Sequence, residues 1–296
     1  MNRPSVAVRT AISIFRKIPR IRGRGRLEAI LHRTLEDRHL REVMHVNGYD
    51  IEVSLDDLIG RSIYLNGVWE RENSEVVRRL LGNGAVAFDV GANTGYFTLL
   101  FATLTGRDGK VYAFEPVPST AAALKQNLSR NKAVTEPVEV IEVALSNAEG
   151  VVQINVSGER NLGASHVVAP AVDDAGRIRA GVVDTIAIRC ATGDSIWRER
   201  GCPAVDLVKI DIEGHEWHAL SGMHDLIAAS PRISILVEVR ESFLAAAGAS
   251  TERLFSDLRS LGLNAYDFDL RSGRFTVNNT PRWGELVLFS KRQLEP

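Results

Sequence analysis

At 296 residues, 45% hydrophobic and 25% charged, the chain has the composition of a globular protein with a sizeable core and one main domain. Its net charge of −1 conceals an asymmetry, because residues 1–26 hold eight Arg and Lys and no acid, so an acidic body wears a basic arm. The two cysteines, Cys190 and Cys202, fall in no Cys-x-x-Cys or metal-ligand spacing, which argues against a disulfide framework and fits a reducing, cytoplasmic compartment.

The arm contains SVAVRTAISIFRKI. Arg9 interrupts its apolar run, Arg16 and Lys17 end it, and no small-residue cleavage site follows, so a secretory signal is not expected. No window elsewhere approaches the roughly 18 uncharged apolar residues of a spanning helix. Val8, Ala11, Ile12, Phe15 and Ile18 fall at helical spacing. Two roles follow for the arm: a solvated or docking segment, or a basic amphipathic helix in peripheral contact with the inner face of an anionic membrane. Residues 27–41 read as a charged amphipathic helix. Asn47-Gly48 sits between two short alternating runs, the signal of a two-residue hairpin. A further helix is expected from about Asn73-Ser74.

From residue 81 the chain alternates. Apolar strand-like runs AVAFDV, KVYAFEP, VEVIEVAL, DLVKIDI and ISILVEV are separated by helical stretches such as GYFTLLFATL and STAAALKQNLSRN, where Ala122, Leu124 and Leu128 are expected to share a buried face. Strands apolar on both sides, alternating with helices, imply a doubly wound α/β fold whose parallel sheet is covered on both faces. Residues 148–190 break the rhythm with short strand-like pieces and form an excursion beside the sheet. The closing LNAYDFDLRSGRFTVN and GELVLFSKR add strands around Ser272-Gly273 that finish the sheet with an antiparallel hairpin.

The first of these strands runs into the turn VAFDVGANTGYF. In open α/β sheets a ligand sits beyond the carboxyl ends of the strands, beside such a turn. Against the dinucleotide pattern G-x-G-x-x-G, Gly91 matches, while Asn93 and Tyr96 take the second and third glycine positions. A bulky Tyr there counts against NAD or FAD. The next strand ends at Glu115, 20 residues after Gly95, where an acid accepts hydrogen bonds from ribose hydroxyls. A nucleoside without phosphate, held at the first two strand ends, points to S-adenosylmethionine.

DLVKIDIEGHEWHAL then gathers Asp211, Glu213, His215 and Glu216 at the same sheet edge. Asp211 and Glu213 alternate as in a strand, so both point one way if the strand continues to 213. HEWH fails as a zinc motif, since His218 comes one residue too early for His-Glu-x-x-His. Lys209 is expected to pair with a neighbouring acid.

DVGANTGYFT, FEP, ALSN, LVKIDIEGHEWHAL, ILVEV and LVLFSK in this order resemble the FkbM family of S-adenosylmethionine-dependent methyltransferases, and GRSIYLNGVWER resembles its lead-in. The resemblance covers about residues 45–290. It implies a Rossmann-like sheet of class I methyltransferase type at 81–296, preceded by a helical and hairpin extension at 27–80. Asp89, Gly91, Asn93, Gly95 and Glu115 fall on the family's cofactor positions, and Ser146 near the adenine. Asn161 to His166 resembles an Asn-x-Gly-x-Ser-Ser substrate segment, with Asn161 and Ser165 retained and His166 replacing the second Ser.

The resemblance implies methylation of a hydroxyl on a small molecule, sugar or polyketide. Asp211 is the expected base, with Glu213 and Glu216 as orienting partners and His215 as second choice. Glu238 at the next strand end would face the acceptor, and with Asp211 it could hold a divalent metal, though carboxylates alone do not require one. Nucleic acid is not expected as a partner: DIEG stands where an amino-methylase carries Asn/Asp-Pro-Pro-Tyr/Phe, and no Pro-Cys nucleophile is present. The alternatives are a non-catalytic nucleoside-binding module and an NAD-dependent oxidoreductase.

Overall fold

The computed structural model describes residues 3–18, 24–36, 39–157, 166–167, 182–278, 280 and 286–294. Two helices open the chain, Val6–Lys17 and Arg24–Leu35. The second stops six residues short of the expected end, because Arg41 already belongs to a strand. β1 (Arg41–Val46) and β2 (Tyr49–Ser54) pair antiparallel around Asn47 and Gly48, with φ of 54° and 87°. That is the left-handed pair a two-residue hairpin turn requires. Helices Leu58–Asn66 and Arg71–Leu80 follow. The latter starts before Asn73 because Glu70, at φ 42°, turns the chain into it.

β3 (Val86–Val90), β4 (Lys110–Phe114) and β5 (Val138–Ile141) are joined by helices Tyr96–Thr105 and Pro118–Arg130. VEVIEVAL does not stay in one sheet. After β5 the chain leaves for β6 (Ala144–Leu145), which pairs with β9 (Val182–Ala191); β9 pairs with β7 (Gly150–Ser157), and β7 with β8 (His166–Val167). This second sheet is the excursion expected beside the main one. β10 (Leu207–Ile210) and β11 (Ser234–Glu238) return to the main sheet, followed by β12 (Asn264–Asp269), β13 (Arg274–Val277) and β14 (Leu286–Ser290). The eight-stranded order is β13-β12-β14-β11-β10-β3-β4-β5. β5, β4, β3, β10 and β11 run parallel, and β14 inserts antiparallel between β11 and the β12–β13 hairpin. The antiparallel end thus has three strands where a hairpin was expected. The order reverses between β3 and β10, which makes that seam the switch point.

Alternate residues of the parallel strands feed two cores. Ala87, Val111 and Leu207 face one, with the N-terminal helices and hairpin; Phe88, Val90, Phe114, Val208 and Ile210 face the other. On the Pro118–Arg130 helix the buried stripe is Ala121, Leu124 and Leu128, while Ala122 is exposed. Residues two apart cannot share a helix face, so Ala122 and Leu124 diverge.

Tyr96 ties the extension to the glycine turn. Its hydroxyl accepts from Asn47 Nδ2 at 3.1 Å and lies 3.1 Å from Ser74 Oγ, while Tyr49 donates to its carbonyl at 3.0 Å. Asn127 adds a bridge, accepting from the Glu52 N–H at 2.8 Å and donating to the Thr94 carbonyl at 2.9 Å.

The first helix is docked as well. Ile12 and Phe15 are each only 2% exposed in the core shared with the hairpin, and Arg16 Nε donates to the Tyr64 carbonyl at 3.1 Å. Of the apolar positions Val8, Ala11, Ile12, Phe15 and Ile18, Ile12 and Phe15 are turned inward, Val8 and Ile18 are half-buried, and Ala11 stands outside with Val6 and Ile14. No helix of the described residues is long and apolar enough to cross a membrane. Phe15→Ala is expected to cost about 3–5 kcal/mol of stability. Ile14→Ala, two-fifths buried on the outer side, is expected to stay within about 0.5 kcal/mol in the same urea unfolding measurement.

Candidate functional site

β3 delivers Asp89 and Val90 to the switch point, and the chain then turns through Gly91 to Gly95. Gly91 has φ +82°, and a Cβ on it would stand 2.0 Å from the carbonyl oxygen of Asp211. Only glycine lets the ends of β3 and β10 approach this closely. Asn93 takes φ 49°, and its N–H donates to Glu115 Oε2 at 2.9 Å; the Val117 N–H donates to Oε1 at 3.0 Å. Each carboxylate oxygen keeps capacity for a second donor. Burial pushes the Glu115 carboxyl up to about 7, against the pull of those two N–H groups.

Glu115 lines an apolar cavity walled by Val90, Phe114, Val143, Leu145, Ile154 and Ile212, with Asn93, Asp211 and His215 as its other polar groups. Such a slot, with a carboxylate at a strand end and a side-chain-free turn, fits an adenosine: apolar walls for the base and an acceptor pair for the ribose hydroxyls.

A second cavity, about 320 Å³, opens on the other side of the turn. It shares Gly91, Asn93 and Asp211 with the first and is lined further by Glu70, Asp89, Lys209, Glu213, Glu238 and Arg240. Lys209 and Asp89 are register partners on β10 and β3, so both side chains leave the same sheet face. Asp89 is wholly buried; its Oδ2 accepts from Thr98 Oγ1 at 2.5 Å. Burial raises its pKa, and Lys209 opposes the shift. Lys209 Nζ lies 3.0 Å from Asp211 Oδ2 and 4.8 Å over the Phe97 ring. Burial pulls this ammonium down, but Asp211, Asp89 and Glu70 together raise it above its ordinary value. Lys209 is thus the paired cation that its strand position predicts.

Asp211 and Glu213 do converge, by a different route from strand alternation. β10 ends at Ile210, and Glu213 takes φ 53° in the turn that follows. A left-handed non-glycine residue is costly, by roughly 1–3 kcal/mol, and persists only where neighbours hold it. Here Glu216 Oε1 accepts from the Ile212 N–H at 3.1 Å and the Gly214 N–H at 2.9 Å. Glu216 is 1% exposed and lines neither cavity, so it shapes the turn that presents Asp211 and Glu213. Burial and then Asp211 raise Glu213 to about 7; burial, Asp211 and Glu213 push Glu238 well above the usual carboxylate range.

The other sequence-selected residues fall elsewhere. His215 lines the apolar cavity and not the acidic one; its Nε2 lies 3.0 Å from Ser146 Oγ and its ring stacks on His218 at 4.4 Å. Burial and then His218 lower its pKa to about 4, which makes it a weak base. Ser146 follows β6, whose Ala144 and Leu145 line the apolar cavity. Gly95, at φ 98°, packs its Cα against Leu124 and caps the Tyr96–Thr105 helix rather than lining either cavity. Asn161 and Ser165 lie outside the described residues.

Sequence reasoning missed Glu70 and Arg240. Glu70 reaches the acidic cavity from the turn before Arg71–Leu80; burial raises its pKa and Lys209 opposes this. Arg240 Nε meets Glu238 Oε1 at 2.8 Å, and its guanidinium lies 3.8 Å from Glu213. Neither belongs to a spaced pattern, and the only trace of the first is the lead-in GVWER.

The methyltransferase FkbM domain matches residues 89–269 of this chain. The chain belongs to the FkbM methyltransferase family. Among its FkbM-like relatives, it is 31% identical over 219 residues to the 31-O-demethyl-FK506 methyltransferase FkbM of Streptomyces tacrolimicus, covering 67% of this chain and 78% of that protein. It is 28% identical over 156 residues to the hexuronic acid methyltransferase AglP of Haloferax volcanii, covering 52% of this chain and 57% of the relative. It is 28% identical over 235 residues to the AMB antimetabolite synthetase AmbE of Pseudomonas aeruginosa, covering 70% of this chain but only 10% of that much longer protein. The methyl donor of the FkbM family is S-adenosylmethionine.

With Glu115 raised to about 7, a proton must leave before both oxygens can accept ribose hydroxyls. S-adenosylhomocysteine affinity, measured by calorimetry, is therefore expected to rise between about pH 6 and pH 8. Glu115→Gln is expected to weaken binding about 10- to 100-fold and to flatten that pH dependence.

Proposed function

We propose that this FkbM-family chain is an O-methyltransferase acting on a hydroxyl of a small molecule, sugar or polyketide. The observation that carries the proposal is the position of Asp211, which lines both cavities and stands between a nucleoside slot and an acidic, partly aromatic chamber. When bound, S-adenosylmethionine supplies an electrophilic methyl on a sulfonium. The apolar walls and Glu115 fix its nucleoside. Lys209, 3.0 Å from Asp211 Oδ2, anchors that side chain and leaves Oδ1 for an acceptor hydroxyl. Asp211 then takes the proton as the oxygen is methylated. Glu213 and Glu238 offer further acceptors for neighbouring hydroxyls, while Trp69, Phe97 and Phe243 exclude water. Alignment of oxygen and methyl accounts for roughly 7–11 kcal/mol of the barrier, and the base for about 10²–10⁴ in rate.

The named activities of two relatives, on 31-O-demethyl-FK506 and on a hexuronic acid, support oxygen-rich acceptors of these classes. Asp211→Asn is expected to lower kcat by about 10²–10⁴-fold while S-adenosylhomocysteine affinity changes little. Full turnover in that variant would remove Asp211 from the base role. Labelled methyl donor offered with hydroxylated macrolides and uronic acid glycosides should leave its label on oxygen; label on nitrogen or carbon would overturn the oxygen assignment.

A further inference from the structure

The acidic cavity gathers more carboxyl groups than its two cations, Lys209 and Arg240, can pair. Asp211, Glu213 and Glu238, from the ends of the adjacent strands β10 and β11, each place one oxygen within 4.8 Å of the others. Two further facts set this apart from an ordinary acidic surface. Asp89 lines the same cavity with no exposure to solvent, and its Oδ1 has no hydrogen-bond partner among the described residues. Glu238, only 8% exposed, has one oxygen on Arg240 and a second, Oε2, with none. A buried carboxylate oxygen without a donor is costly, and proteins keep such groups where a proton or a cation completes them.

The resident cations do not fill this place. Lys209 is buried and committed to Asp211 Oδ2 at 3.0 Å. Arg240 reaches Glu238 from the mouth of the cavity, and its side chain is 45% exposed, so it can withdraw into solvent. We propose that Asp211, Glu213 and Glu238 bind one divalent cation, with Arg240 as the displaceable counter-ion of the cation-free state. All three ligands are carboxylate oxygens, which select a hard ion of the Mg²⁺, Mn²⁺ or Ca²⁺ kind over zinc or copper. Three carboxylates leave coordination positions for water or for oxygens of an acceptor. With the ion bound, Asp211 holds the metal instead of the hydroxyl; an acceptor hydroxyl on the ion would be more acidic, fixed beside the nucleoside cavity, and would release its proton to cavity water.

Cation binding is measured on the intact chain without methyl donor or acceptor, so its outcome is separate from that of the methyl-transfer proposal. The probe is Mn²⁺, with free ion followed by electron paramagnetic resonance. One saturable site at submillimolar affinity is expected, weakened about tenfold or more in Glu238→Gln and in Glu213→Gln, and unchanged or tightened in Arg240→Gln. Retained binding of S-adenosylhomocysteine shows that each variant is folded, and a variant that loses it is set aside for the other. No saturable site in the wild-type protein, or a site that the folded carboxylate variant leaves intact, overturns the proposal.

Discussion

The contact on which both cavities depend is one of backbone against backbone. At the switch point the Cα of Gly91 faces the carbonyl of Asp211 with no room for a Cβ between them. Because the ends of β3 and β10 close together there, Asp211 is carried to the junction of an apolar slot and an acidic chamber. A side chain at residue 91 would push the strands apart, and the slot, Asp211 and the turn after it would move together. The chemistry of the site is thus set first by an absence of atoms.

The second constraint is charge at close quarters. Asp89 and Lys209 are register partners inside the sheet, and Asp211 follows two residues after Lys209. A lysine buried with three carboxylates nearby stays charged because the surrounding anions outweigh the cost of desolvation. Its fixed positive charge holds Asp211 in place, 3.0 Å away. Among the described residues Glu213 and Glu238 have no such partner in the interior, only an arginine at the rim, and their carboxyls are correspondingly reluctant to ionise.

The glycine turn and strand-end carboxylate of the proposed nucleoside slot were legible in the sequence because they are local. Gly91, Asn93 and Glu115 occupy a strand-turn-helix and the next strand end, where backbone rules alone place them. The five parallel strands were legible for the same reason, as apolar runs with helices between. The acidic half was legible in its residue types and less so in its geometry. Glu213 reaches its neighbours through a left-handed turn held by Glu216, and Glu70 arrives from a separate helix pair; neither follows from periodicity. The sequence offers His215 as second choice for the base, yet the turn after β10 places it in the apolar cavity and not in the acidic one. The inward face of the first helix and the insertion of β14 depend on which surfaces are left to cover, which only the assembled core decides.

Tyr96, whose hydroxyl gathers Asn47 and Ser74 beside the glycine turn, has a wider consequence. Leu58, Ile59, Trp69 and Glu70 line the acidic chamber, yet all precede the stretch matched by the family domain, which begins at Asp89. The tyrosine is the rivet that fastens this upstream wall to the shared machinery. Loss of that hydroxyl would therefore loosen the upstream wall of the chamber while leaving Asp211, Glu213 and Glu238, which are carried by the ends of β10 and β11, in place.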